Sequence, residues 1–128
     1  MPDYLDTSAF IKLVLSETES AALRRELLGR ELRASTLLVV EGCRAAARYG
    51  ELALARARAA LTAVTLVPID DGVLDASCEL EPLELRSLDA LHLATAHSIG
   101  EGLGVMFCYD SRLSAAARAY GVTVSQPR

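Results

Sequence analysis

A chain of 128 residues suffices for one compact domain with its own hydrophobic core and leaves no room for a second. With 52% of residues hydrophobic it is not a disordered chain, and Arg, Glu and Asp interrupt every apolar run well short of the ~18 residues of a membrane span. Thirteen basic and 17 acidic residues leave a net charge of −4, which argues against broad electrostatic binding of nucleic acid but not against a nuclease, because clustered carboxylates can hold cations that reverse the local field.

In chain order, Met1-Pro2-Asp3-Tyr4-Leu5-Asp6 lacks the basic and apolar stretches of a secretory signal, so a cytoplasmic protein is expected. Tyr4-Leu5 reads as a short strand ending at Asp6-Thr7-Ser8, which can cap a helix carrying Phe10, Ile11, Val14 and Leu15. Ser16 with Glu19 matches a capping box, predicting a second helix to Gly29 with Leu23, Leu27 and Leu28 on its apolar face. Leu32 to Ala34 reads as a strand. Ser35-Thr36 caps a long Ala- and Arg-rich helical stretch that breaks at Gly50 and resumes to about Ala63. Arg44, Arg48, Arg56 and Arg58 lie along it, a solvated face or a track for RNA.

Val64 to Ile69 is compact and β-branched, predicting a buried strand, and Asp70-Asp71 can cap the helix that Pro82 interrupts. Ser87 caps a further helix through Leu88, Leu91, Ala94, Thr95 and Ile99, closed by Gly100. Val105 to Tyr109 is an apolar strand, Asp110-Ser111 starts a helix that Gly121 stops, and Val122 to Val124 is a last strand. Strands alternating with helices give an α/β fold, its parallel or mostly parallel sheet covered on both faces. Cys43, Cys78 and Cys108 are too far apart for a zinc motif and are expected as buried reduced thiols.

The acids fall at telling places. Ligands of open α/β sheets bind beyond the carboxyl ends of strands, and Asp6 and Asp110 each follow a strand and precede a helix. Each is equally explained as a helix cap. Glu41 follows the apolar Leu37-Leu38-Val39-Val40, where it is either paired with Arg44 or Arg48 on its own face or functional. Asp89 lies in the first turn of an otherwise apolar helix, a position the helix dipole favours in any case. Carboxylates from four distant segments converge stably only around positive charge, which Mg²⁺ or Mn²⁺ would supply. Periodicity alone does not bring them together.

Four segments carry a family resemblance: Tyr4 to Ala9, Glu41 to Ala45, Leu85 to Ala96 with its Arg86-Ser87-Leu88-Asp89-Ala90-Leu91-His92 core, and Tyr109 to Ala117. In order and spacing the chain resembles a PIN domain, and more narrowly the VapC toxins of type II toxin–antitoxin pairs. The resemblance implies a PIN-like three-layer α/β/α domain over residues 1–128, with a mostly parallel sheet of four to five short strands. It makes Asp6, Glu41, Asp89 and Asp110 the catalytic, metal-binding set, with Asp6 and Asp89 as principal ligands and Ser8 ordering the site. It implies an endoribonuclease using Mg²⁺ or Mn²⁺ that leaves 5′-phosphate and 3′-hydroxyl ends. A homodimer and a VapB-like antitoxin follow from the same source.

The chain departs from the pattern at Cys108, where many relatives have Thr, and at Ser111 and Arg112, where some PIN nucleases carry another acid. A thiol is a weak donor, so looser positioning of Asp110 is expected. Arg86 and Arg112 flank acids and could contact RNA or an antitoxin, or simply balance the acidic charge. His92, three residues after Asp89, is assigned to packing or hydrogen bonding, and His97 to the surface. The competing functions are an RNA-processing nuclease without an antitoxin and a non-catalytic PIN-like scaffold. An aspartyl phosphotransferase is disfavoured, because Ser8 stands where its second Asp would be.

Overall fold

The computed structural model describes residues 1–128. Five strands, β1 (Asp3–Leu5), β2 (Leu32–Ser35), β3 (Val64–Val67), β4 (Met106–Phe107) and β5 (Val124–Ser125), form one sheet in the order β3-β2-β1-β4-β5. Every pairing is parallel. Seven helices connect and cover them: α1 (Thr7–Val14), α2 (Ser20–Leu27), α3 (Leu37–Ala47), α4 (Glu51–Leu61), α5 (Asp71–Glu79), α6 (Ser87–Ser98) and α7 (Ser111–Ala119). No helix is long and apolar enough to cross a membrane.

The two-residue period of the strands sorts the core into two halves. Leu5 and Phe107 turn to one face of the sheet, against Phe10, Leu23, Leu38 and Ala57 from α1 to α4. Tyr4, Met106 and Cys108 turn to the other, against Leu93, Ala96, Leu113 and Ala117 of α6 and α7. The result is three layers. Helices α1 and α3 approach closely because Gly42 has no side chain, and a Cβ there would lie 2.7 Å from the Phe10 ring. Asp3, nearly inaccessible at the start of β1, accepts from the Val105 N–H at 2.8 Å and pairs with Arg30 at 3.1 Å.

Strand order reverses between β1 and β4, since the chain moves outward through β2 and β3 on one side and through β5 on the other. Such a switch point opens a crevice at the carboxyl ends of the strands. Asp6 leaves β1 there, and Asp110 follows β4.

Several boundaries differ from the sequence expectation. The Ser16 capping box does not form: the Glu19 side chain instead takes the Lys12 ammonium at 2.8 Å, and α2 begins at Ser20. Ser20 organises that turn, its Oγ accepting from Glu17 N and donating to Leu15 O. Leu28 lies beyond α2 and is exposed. The run from Val64 is an edge strand with only Val64 buried, because β3 has a single neighbour. The last strand is displaced to Val124–Ser125, and pairing in β4 is confined to Met106 and Phe107. Cys108 is buried, Cys43 partly so, and Cys78 is exposed on α5, contrary to the expectation of three buried thiols.

Candidate active site

Asp6 is 3% exposed and serves as the N-cap of α1. Its Oδ2 accepts from the Ser8 backbone N–H at 3.1 Å and from Ser8 Oγ at 2.6 Å. Ser8 Oγ in turn accepts from Tyr109 N–H at 2.9 Å, so this hydroxyl ties the end of β1 to the end of β4. Ser8 therefore orders Asp6 itself, beyond what a simple helix cap requires. Cys108 Sγ lies 3.6 Å from the same carboxylate oxygen. Burial, reinforced by the Asp6 charge, pushes this thiol up to about 12, so it remains a neutral donor.

Asp110 caps α7, accepting from Leu113 N–H at 2.8 Å through Oδ1. Asp89 lies in the first turn of α6. One guanidinium spans these two acids: Arg86 Nε is 3.3 Å from Asp89 Oδ2, and Arg86 Nη2 is 3.6 Å from Asp110 Oδ2. The bridge also explains why Ser87 does not cap α6. Extended Arg86, at φ −62° and ψ 148°, takes the N-cap position without a capping hydrogen bond, and Ser87 becomes the first helical residue. Burial, together with the Asp6 and Asp110 carboxylates, raises the Asp89 pKa against the opposing pull of Arg86. Three carboxylates therefore repel one another here, offset by one cation whose side chain is 74% exposed.

Glu41 is held differently. It projects from α3 toward α1 and α6 rather than toward Arg44 or Arg48, both of which are exposed. Its Oε1 accepts from Thr7 Oγ1 at 3.0 Å and lies 2.5 Å from His92 Nε2. Burial pushes the Glu41 carboxyl up, but the hydrogen bond and charge of His92, with the Thr7 bond, outweigh it and hold the group below its ordinary value. For His92 the signs are reversed. Burial pulls it down, and the Glu41 bond with the charges of Asp6, Glu41 and Asp89 raises it overall. His92 is buried and hydrogen-bonded as anticipated, and its partner is the Glu41 carboxylate. Thr7 gave no sequence signal beyond its place beside Asp6.

The donors gathered here are carboxylate oxygens, with the neighbouring thiol protonated, and such a set fits a hard cation. No three His, Cys, Asp or Glu side chains converge tightly enough to grip an ion directly. Arg112 is exposed on α7 and makes no ion pair with the site, so of the two flanking arginines only Arg86 is drawn in. A cleft of about 510 Å³ lies elsewhere, bounded by Val73, Glu79, His97 and Tyr120. Asp6 and Asp110 instead lie at the carboxyl end of the sheet, after the central strands β1 and β4.

Residues 4–119 match the family model described as PIN domain. Ribonuclease VapC46 of Mycobacterium tuberculosis is 46% identical, over 97% of this chain and 96% of its own length. Ribonuclease VapC47 of the same species is 38% identical over the same shares. Among solved structures, a toxin–antitoxin complex from Klebsiella pneumoniae superposes with a TM-score of 0.75 at 22% identity, covering 98% of each chain. The sarcin–ricin loop cleaving toxin VapC20 of M. tuberculosis gives a TM-score of 0.72 at 19% identity, over 91% of this chain and 95% of that one.

Proposed function

Since this chain belongs to the PIN-domain family, as a ribonuclease of the VapC type, we propose that it is the endoribonuclease toxin of a toxin–antitoxin pair, cutting RNA with Asp6, Glu41, Asp89 and Asp110. What supports this reading of the site is the charge coupling of Asp89 to Asp6 and Asp110 beside the β1/β4 switch point, offset by an exposed Arg86. Such a cluster is electrostatically unfavourable unless a cation joins it.

Asp6 and Asp89 would be the principal ligands of a divalent ion, Mg²⁺ or Mn²⁺, with Glu41 and Asp110 completing its surroundings partly through water. Bound there, the ion supplies acidity to a water and neutralises charge on the leaving oxygen. The protein's part is placement. Ser8 and Cys108 hold Asp6, the α7 N-terminus holds Asp110, and Thr7 with His92 holds Glu41. Water oxygen adds to phosphorus in line, the bond to the 3′ oxygen breaks, and that oxygen takes a proton, leaving 5′-phosphate and 3′-hydroxyl ends. Arg86, exposed beside Asp89 and Asp110, would be placed to take an RNA phosphate oxygen.

The partners follow the same reading: RNA as substrate, a second copy as homodimer, and a VapB-like antitoxin. Exposed Val40 on α3, Leu52 on α4 and Tyr49 in the turn between them, with Leu28 after α2, offer apolar surface for that antitoxin. The cytoplasm is the compartment this pairing requires, and the whole of residues 1–128 serves as a single nuclease domain.

The test is cleavage of a structured RNA panel by antitoxin-free protein with Mg²⁺, Mn²⁺ or EDTA. Internal cuts bearing 5′-phosphates, present with either ion and abolished by EDTA, are expected. Cleavage that persists in EDTA contradicts the metal mechanism.

A further inference from the structure

We propose that His92 is a positioning residue for Glu41, fixing which of its two carboxylate oxygens is free to serve the site. The inference rests on the reading of the acids as a metal centre and adds a residue to it. His92 is 1% exposed, and Thr7 and His92 both engage Glu41 through Oε1. Oε2 takes no hydrogen bond from the protein, on a side chain that stays 23% exposed. The carboxylate is thus pinned by one oxygen and left open at the other, the arrangement needed to accept from ion-held water. A free glutamate has three rotatable bonds to order, and anchoring one oxygen removes that disorder in advance.

His92 is itself anchored. Its Nδ1 lies 2.7 Å from Tyr4 Oη, which accepts from Ser35 N–H at 3.0 Å. Tyr4 and Ser35 are fully buried. The chain of contacts runs from β2 through the central strand β1 and α6 to α3, joining both core layers over the end of the sheet. Either protonation state of the ring keeps Nε2–H pointed at Glu41. In the neutral ring Tyr4 O–H donates to Nδ1, and in the doubly protonated ring Nδ1–H donates to the phenol oxygen. The remaining tautomer would face a bare nitrogen lone pair against the carboxylate. Supporting partners of this kind orient metal-binding side chains and tune affinity without touching the ion.

Mn²⁺ affinity measured by calorimetry provides the test, on wild type, His92→Leu, His92→Gln, Tyr4→Phe, Glu41→Gln and the His92→Leu/Glu41→Gln pair. His92→Leu is expected to weaken Mn²⁺ binding by about 10-fold. His92→Gln, whose amide N–H can stand in for Nε2–H, should recover most of that loss, and Tyr4→Phe should fall between wild type and His92→Leu. In the Glu41→Gln background His92→Leu should add nothing, since the residue acts only through Glu41. RNA turnover should fall in kcat with little change in KM. If the Leu and Gln variants are equally impaired, or the Leu effect persists without the Glu41 carboxylate, His92 is merely structural and the inference fails. Should His92→Leu not fold, Tyr4→Phe and His92→Gln decide: affinities for both equal to wild type overturn it. Wild type that binds no Mn²⁺ at all overturns the metal reading, and this inference with it.

Discussion

Asp89→Asn is expected to lower RNA cleavage at saturating Mn²⁺ by about 10³-fold, and Asp6→Asn by at least as much. A metal-assisted displacement draws several kcal/mol of transition-state stabilisation from its ion, and about 1.4 kcal/mol corresponds to each tenfold in rate. Both substitutions keep side-chain shape and remove one negative charge, so the loss reports electrostatics rather than packing. Asp6→Asn retains the cap of α1, because an amide oxygen still accepts from Ser8 N–H at the position of Oδ2. For Asp89 the stability effect should be opposite to the effect on activity. Burial and the Asp6 and Asp110 charges raise its folded pKa above the unfolded value, so the fold bears no penalty at low pH and the full penalty once the carboxyl ionises. Without metal at neutral pH, Asp89→Asn should therefore be as stable as wild type or more so. A variant that cuts RNA like wild type removes Asp89 from the mechanism.

Phe10→Ala carries the largest expected loss of stability. The ring is fully buried and fills the contact where α1 meets Gly42 of α3. Truncating a buried Phe to Ala costs about 3–5 kcal/mol through lost transfer energy and the residual cavity, against a total of about 5–15 kcal/mol for a typical domain. Urea unfolding should show the midpoint falling at nearly constant slope. The site should suffer as well, because α1 presents Thr7 and Ser8 while α3 presents Glu41. Phe10→Leu, which leaves a smaller void, should cost well under half as much. A loss below about 1 kcal/mol for Phe10→Ala would mean that α1 and α3 are held together by other contacts.

Legibility in the sequence followed the range of the interactions involved. Asp6 and Asp110 could be placed because a strand, an acid and a helix start are adjacent in the chain, and parallel α/β topology puts such junctions on one edge. Asp89 was locatable as a first-turn acid, and the motif resemblance joined it to the others. The partner of Glu41 was not readable. Sequence proximity offers Arg44 and Arg48, while the observed donors are Thr7 and His92, 34 and 51 positions away. Only the packing of α1, α3 and α6 over the sheet end brings those groups together. Local capping rules failed where tertiary pairing competed: Glu19 is taken by Lys12, and Arg86 is drawn across Asp89 and Asp110 at the start of α6. Val64 to Val67 has the composition of a buried strand but occupies the sheet edge, a matter of strand order that β-branching does not encode.

If the acids beside the β1/β4 switch are assembled for a divalent cation, Mn²⁺ must stabilise the fold, and thermal unfolding with Mn²⁺ or EDTA measures that. An ion that binds only the folded state stabilises by about 2.7 kcal/mol at a hundred times its Kd, enough to raise Tm by several degrees. Wild type should show that rise with Mn²⁺. Asp89→Asn should lose it while matching or exceeding wild type in EDTA. Equal Mn²⁺ shifts in the two proteins, or none in wild type, would mean that these acids hold no such ion.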